Sequence, residues 1–252
     1  MSVTLADFGF QSLEGKTVLL TGASSGMGRA TALLLAKTGA RLALLARRRE
    51  RLESLAAEIK QSGSDRVLLL TGDVRKEEDC IAAVEACRSR FGRIDVLINN
   101  AGVGYPSDLA TVSTDLYKST METNVDGVFF MTRAVLPIMK EQKRGDIVMI
   151  SSPAGLTANP VAPLYCTSKF ALEGYTEGLR LQLNQLHGQG IHIRVIDILP
   201  GATNTEYWGE REVPRESFLT GEEMAMVIVR SVATRSSVLV KKLQVEQFRF
   251  PG

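Results

Sequence analysis

The sequence predicts an α/β fold: a single doubly wound parallel sheet of about seven strands with helices on both faces. Three observations predict it. Short apolar runs alternate with longer helical stretches along the 252 residues. Several runs, such as Val67-Leu68-Leu69-Leu70, are apolar at every position, the pattern of strands covered on both faces. A glycine-rich turn, Thr21-Gly22-Ala23-Ser24-Ser25-Gly26-Met27-Gly28, joins the first run to the first helix.

The elements follow in order. Gly15-Lys16 turns into a first strand over 17–21. Residues 27–38 read as a helix, with Gly39 suited to its C-terminal turn. A second strand over 41–46 leads to a helix over 49–61, and a third over 66–71 to a helix over 77–91 that Gly92 ends. A fourth strand spans 94–99, and a long helical region lies within 116–141. A fifth strand falls within 145–151, a long helix over 163–186 and a sixth strand over 191–198. One more helix (222–233) and strand (238–242) complete the pattern. No Pro/Ser/Gly-rich linker or low-complexity tract divides the chain, so one domain over 1–252 is expected, with 1–14 as a lead-in.

Composition narrows the function. The formal net charge of +2 sets up no strong field toward nucleic acid or membrane. No run of about 18 apolar residues is available to span a bilayer, and no secretory signal is visible. Three cysteines, Cys80, Cys87 and Cys166, include no CxxC pair, which fits a reducing cytoplasm rather than a disulfide framework. His187 and His192 lack zinc-type partners, so no metal is expected.

In doubly wound sheets ligands bind at the carboxyl ends of the strands. That rule gathers residues 22–28, 99–102, 151–152 and 200–201 on one rim. Glycine at 22, 26 and 28 permits a tight turn and close approach of a pyrophosphate, whose charge the following helix N-terminus favours. The spacing is G-x-x-x-G-x-G, and a glycine-rich turn without a ligand is the plain alternative. The same residues also match G-x-S-x-G, a serine nucleophile elbow at Ser24. That reading needs a later acid and a histidine, and only His187 and His192 are on offer.

The second strand ends Leu44-Leu45-Ala46-Arg47-Arg48. An acid here would bind the ribose 2′-hydroxyl of NAD and repel a 2′-phosphate. Arginine instead suits phosphate, because its fork binds two oxygens. The expected cofactor is therefore NADP, with Arg47 the main contact and Arg48 the second; an exposed basic helix start is the alternative. Asp73-Val74 fits either along the adenine or in a turn.

Tyr165 and Lys169 stand one helical turn apart, thirteen residues after Ser152. A free tyrosine titrates near pH 10. An ammonium about 4 Å away, at an effective dielectric near 20, offers roughly 4 kcal/mol and would bring the phenol toward neutrality, where it exchanges protons readily.

These residues together resemble a classical short-chain dehydrogenase/reductase, a family with a Rossmann-type fold, over about residues 12–245. The matching set is the glycine turn, Asp73, Asn99-Asn100-Ala101-Gly102, Asn124, Ser152, Tyr165-Cys166-Thr167-Ser168-Lys169 and Pro200-Gly201-Ala202-Thr203-Asn204-Thr205. The resemblance implies an oxidoreductase that moves a hydride between NADPH and a carbonyl or alcohol. Tyr165 would be the acid-base and Ser152 would hold the carbonyl oxygen. Lys169 would bind the nicotinamide ribose and tune Tyr165, and Asn124 would anchor a relay water. Asn100, Ala101 and Gly102 would lie at the cofactor, with Pro200, Gly201, Thr203 and Thr205 along its nicotinamide end. Two departures stand out: Ser25 replaces the basic residue frequent in NADP-linked members, and Pro153 follows the serine. A dinucleotide-binding sensor or scaffold without turnover is the competing class of function.

The resemblance makes residues 203–220 a substrate lid. Tyr207, Trp208 and Phe218 would line an apolar pocket for a medium-sized ketone or aldehyde. The chain lacks the terminal glycine pair of ketoacyl reductases, which ranks that activity below general carbonyl chemistry. The family also implies a homo-oligomer, tetramer or dimer, built on the two long helices, and Phe248 and Phe250 are further candidates for packing on a neighbour.

Overall fold

A computed structural model describes residues 11–248; Phe250 lies outside them. The strands are β1 Thr17–Thr21, β2 Arg41–Ala46, β3 Val67–Thr71, β4 Val96–Asn99, β5 Arg144–Ile150, β6 His192–Pro200, β7 Thr203–Asn204, β8 Leu219–Thr220 and β9 Lys242–Val245. The α-helices are α1 Gly26–Ala36, α2 Arg49–Gln61, α3 Glu77–Phe91, α4 Thr114–Met121, α5 Gly127–Glu141, α6 Pro163–Asn184 and α7 Gly221–Val232.

Seven strands form one sheet in the order β3-β2-β1-β4-β5-β6-β9, all neighbours parallel. The direction of winding reverses between β1 and β4, which opens a crevice at their carboxyl ends. β7 and β8 form a separate short parallel pair beyond that rim.

Alternate side chains of each strand enter two cores. On one face Val18, Leu20, Leu42 and Leu44 pack with Leu35 of α1, Leu52 and Leu55 of α2 and Ile228 of α7. On the other, Leu19, Ala43 and Leu45 pack with Val84 of α3, Met131 and Val135 of α5 and Leu172 and Leu179 of α6. Burial on both faces explains the unbroken apolar runs. The run Val67–Leu70, however, belongs to the edge strand β3 and is only half-buried.

Two boundaries differ from expectation in ways that matter. The last strand runs Lys242–Val245, not 238–242; its alternating polar and apolar residues suit an edge strand that pairs on one side with β6. The helical region before β5 is interrupted by a π-helical segment, Glu122–Asp126, which carries Asn124.

Candidate active site

A cleft of about 960 Å³ opens at the switch point. Gly22, Ser24, Ser25, Gly26, Met27, Gly28, Arg47, Arg48, Asp73, Val74, Asn100, Ala101, Gly102, Thr205, Tyr207 and Trp208 all line it. Pro200, Gly201 and Thr203 do not, and Asn124, Ser152, Tyr165 and Lys169 lie behind its wall rather than on it. Gly201 donates to Val245 O, and buried Thr203 bonds Gly201 O, so both serve the backbone behind the rim.

The glycine turn requires its glycines. Gly22 sits at φ +66°, and a Cβ there would lie 2.9 Å from the Ala101 Cα. At Gly28 a Cβ would come within 2.3 Å of the Gly22 carbonyl oxygen. The N-cap of α1, Ser25, makes no side-chain cap to the helix, so the first-turn amides are left to face the cleft. Uncapped amides, a backbone bare of Cβ atoms at 22, 26 and 28 and two arginines at the rim fit a phosphate-bearing dinucleotide.

The two arginines differ. Arg47 is exposed. Arg48 is half-buried and donates to Ser25 Oγ at 2.8 Å and Ser24 Oγ at 3.2 Å. Ser25, where a basic residue is frequent, thus recruits Arg48 onto the turn. Glu206, beyond β7, pairs with Arg48 at 3.5 Å and with Arg51 of α2 at 2.5 Å. Arg51 and Glu206 were not legible as rim residues, since a lone charge reads as solvated surface.

Asp73 is a turn residue: Oδ1 accepts from the Arg75 amide and Oδ2 from the Arg75 guanidinium. Burial opposes its charge, but the Arg75 bonds outweigh this and hold its carboxyl below the usual range. Asn100 stitches the rim together, donating to Thr21 O at 2.9 Å.

At the reaction end, Ser152 follows β5 and caps a 3-10 turn, Pro153–Gly155, through an Oγ that accepts from the Ala154 amide. Its side chain and that of Tyr207 both act on the Tyr165 hydroxyl and pull its pKa down. Lys169 is buried, donates from Nζ to Ile150 O at 2.9 Å and lies 5.6 Å from the Tyr165 ring centre. The expected acidification of Tyr165 by Lys169 is not found. Burial holds the phenol above its ordinary value, against the pull of the Ser152 and Tyr207 hydrogen bonds. The amine pays the same desolvation and is pushed down to about 8.

Behind Lys169 sits a carboxyl pair. Asp197 on β6 is fully buried, and neither carboxyl oxygen meets an N–H or O–H donor among the described residues. Lys242 Nζ stands 3.6 Å from Asp197 Oδ2 and 2.5 Å from Glu173 Oε2. Glu173 and Asp197 share Lys242 and stand close enough for their charges to interact. Burial and the charge of Glu173 accordingly raise Asp197.

Asn124 is buried behind the cleft wall, against Val103. Its Nδ2 donates to Val103 O at 2.7 Å and Ser168 Oγ at 2.9 Å, and its Oδ1 accepts from Val103 N at 2.8 Å. Both amide hydrogens are therefore committed. A relay water would have to use a lone pair of Oδ1 or the backbone carbonyl.

The segment after β7 covers Tyr165. The Tyr207 and Tyr165 ring centres are 6.1 Å apart. Trp208 donates from Nε1 to Thr203 O and stacks on Phe218 at 5.0 Å. Phe218 supports Trp208 from behind and is not among the residues lining the cleft. Gly104 was missed: a Cβ there would fall 1.9 Å from Tyr207 Oη and 2.6 Å from Tyr165 Cδ2. Its only sequence signal is its place two residues after Gly102.

The hydrolase alternative at Ser24 finds no support, because the side-chain partner of Ser24 is Arg48. His187 and His192 contact one another, with His192 at the amino end of β6, opposite the rim that holds Ser24.

A fold with a switch-point cleft and a Ser–Tyr–Lys cluster on the same rim defines a dinucleotide-linked oxidoreductase class. A family model described as short chain dehydrogenase matches residues 16–215, and the chain belongs to that family. An NADP-dependent 3-hydroxy acid dehydrogenase of Schizosaccharomyces pombe is 35% identical over 240 residues, covering 90% of this chain and 91% of that protein. Among solved structures, a metagenomic short-chain oxidoreductase in complex with NADP superposes with a TM-score of 0.82 at 27% identity, covering 95% of this chain and all of that one. The 3-ketoacyl-(acyl-carrier-protein) reductase of Brucella melitensis, complexed with NADH, gives 0.84 at 30% identity over 94% and 98% of the two chains. The chain is thus an oxidoreductase with a nicotinamide dinucleotide cofactor. Among the described residues no helix is long and apolar enough to cross a membrane.

Proposed function

We propose that the protein uses NADPH to interconvert a small ketone or aldehyde with the corresponding alcohol. The observation that carries this reading is the meeting of the Ser152 and Tyr165 side chains, with Lys169 one helical turn on, directly behind Gly104 and Tyr207 of the cleft wall. Bound NADPH supplies the hydride. Gly22–Gly28 would hold its pyrophosphate, Arg48 and Arg47 its 2′-phosphate, and Lys169 its nicotinamide ribose. Ser152 donates to the carbonyl oxygen and stabilises charge as it develops. Tyr165, kept protonated by burial, gives that oxygen its proton. Asn124 fixes the Gly102–Gly104 backbone beside both groups.

Residues 203–220 act as the lid, and a 3-hydroxy acid, named for the Schizosaccharomyces pombe relative, is one candidate substrate. The chain also assembles into a dimer or tetramer, a reading supported by Phe129 on α5 and Phe170 and Leu181 on α6, all solvent-exposed in the isolated chain. The test of function is NADPH oxidation against a panel of ketones, aldehydes, sugars and oxo acids, with NADH alongside. Turnover lost in Tyr165→Phe with NADPH binding retained supports the proposal. Dinucleotide binding without turnover on any substrate returns the sensor reading.

A further inference from the structure

We infer that Arg211 is the anchor for a substrate carboxylate, and that the substrate class is a short oxo acid, or hydroxy acid in reverse. The inference deepens the oxidoreductase reading and rests on it. Arg211 lines the cleft and is half-buried. Its guanidinium carbon lies 5.0 Å from the Tyr207 ring centre and 4.9 Å from that of Trp208, so one cation covers two of the lid's three aromatic residues. Its Nε donates to Trp208 O at 2.7 Å and Nη2 donates to Tyr207 O, which fixes the plane of the fork. No carboxylate among the described residues pairs with it within ion-pair distance, whereas Arg48 and Arg51 share Glu206. A planar guanidinium held on a cleft wall and lacking a counter-charge is suited to a bidentate carboxylate.

Its position relative to the reacting groups sets the chemistry. The Tyr207 ring lies next to both Arg211 and Tyr165: its centre is 5.0 Å from the Arg211 guanidinium carbon and 6.1 Å from the Tyr165 ring centre. A ligand with its carbonyl oxygen on Tyr165 and Ser152 that displaces the Tyr207 side chain can therefore present a carboxylate to Arg211 across a short spacer. An uncharged ketone would leave the cation unmatched. The Tyr207 hydroxyl holds the middle of this line and yields to the ligand. In the reaction the oxo carbon gains a hydride from NADPH and its oxygen gains the Tyr165 proton, giving the hydroxy acid and NADP⁺. The carboxylate is unchanged.

The test pairs acetoacetate with methyl acetoacetate, which keeps the ketone and removes the charge. In Arg211→Gln, kcat/KM for the acid should fall roughly ten- to hundredfold further than for the ester, the range expected for a hydrogen bond to a charged group. Arg211→Lys should recover part of it. A second readout is independent of turnover: in Tyr165→Phe with NADPH bound, Trp208 fluorescence should titrate with 3-hydroxybutyrate, and Arg211→Gln in that background should abolish the response. Equal losses on acid and ester, a preference for the ester in the unmodified enzyme, or an intact fluorescence titration overturns the inference. So does a fall in NADPH affinity that matches the loss on the acid, which would assign Arg211 to a cofactor phosphate. Turnover of neutral ketones alone leaves the oxidoreductase reading standing while this one falls.

Discussion

Lys169 Nζ donates to the Ile150 carbonyl oxygen at 2.9 Å and stands 5.6 Å from the centre of the Tyr165 ring. The amine is thus directed at the backbone of the neighbouring strand rather than at the phenol. The phenol remains above its ordinary value, chiefly through burial. A proton is therefore present to give at neutral pH, while taking one up requires the scarcer phenolate. Carbonyl reduction should be flat with pH through neutrality, and alcohol oxidation should climb about tenfold per pH unit well into the alkaline range. Initial rates in both directions from pH 6 to 10 check this. An oxidation rate that levels off near neutrality would show that Lys169 acidifies Tyr165 after all.

Gly104 should tolerate no side chain. A Cβ there meets Tyr207 Oη, Tyr207 Cζ and Tyr165 Cδ2 all within 3 Å. Overpacking of this kind costs about 1–3 kcal/mol, and here it displaces the phenol that serves as the acid. Gly104→Ala should lower kcat at least tenfold. Tyr207→Phe, which removes the closest of the three atoms, should restore part of the loss. A double-mutant cycle reads the coupling, and strictly additive effects would contradict it.

At the proposed phosphate end the sequence ranks Arg47 ahead of Arg48, whereas the side-chain geometry favours Arg48. Arg48, not Arg47, is held on the glycine turn by Ser24 and Ser25. A preorganised guanidinium loses less freedom on binding phosphate. Arg48→Ala should therefore weaken NADPH roughly tenfold or more, with NADH affected much less, and should exceed the effect of Arg47→Ala. Fluorescence titrations with both dinucleotides decide the order.

What the sequence revealed was what local chemistry encodes. Glycines with fixed spacing, unbroken apolar runs and a Tyr–Lys pair one turn apart were all readable, because each declares itself within a few residues. The last strand was not. Val238-Leu239-Val240 is the more apolar run, yet Lys242–Val245 pairs with β6. Pairing with a neighbour, not local propensity, selects an edge strand. Gly104, Arg51 and Glu206 were likewise silent, since their contacts arise only when residues over a hundred positions apart meet at the rim. Glu173 and Asp197 were silent too, because the pair forms only when α6 packs against β6.

Asp197 is fully buried beside Glu173 and Lys242. Burial and the neighbouring carboxyl raise its pKa above the ordinary aspartate value. The folded protein then binds a proton that the unfolded chain has already released over the interval between the two values. The linkage has one sign: the group supports the fold fully below the unfolded value, and this support is lost as pH rises through the folded value. Lys169 works in a different window. Its folded value, about 8, lies below the unfolded one, so its contribution grows only as pH rises beyond 8. Asp126 is also raised, by burial and by Glu122, so the carboxyl pair is isolated only in the difference from a variant at Asp197 between about pH 4 and neutrality. Asp197→Asn removes the titrating group and keeps the shape, and its amide can donate to Glu173 without a shared proton. Relative to this variant, the unmodified protein should be most stable at low pH and lose ground steadily toward pH 7. Urea unfolding of both proteins at half-unit intervals measures the difference. A constant offset across that range would mean that Asp197 is ionised throughout, held by Lys242 alone.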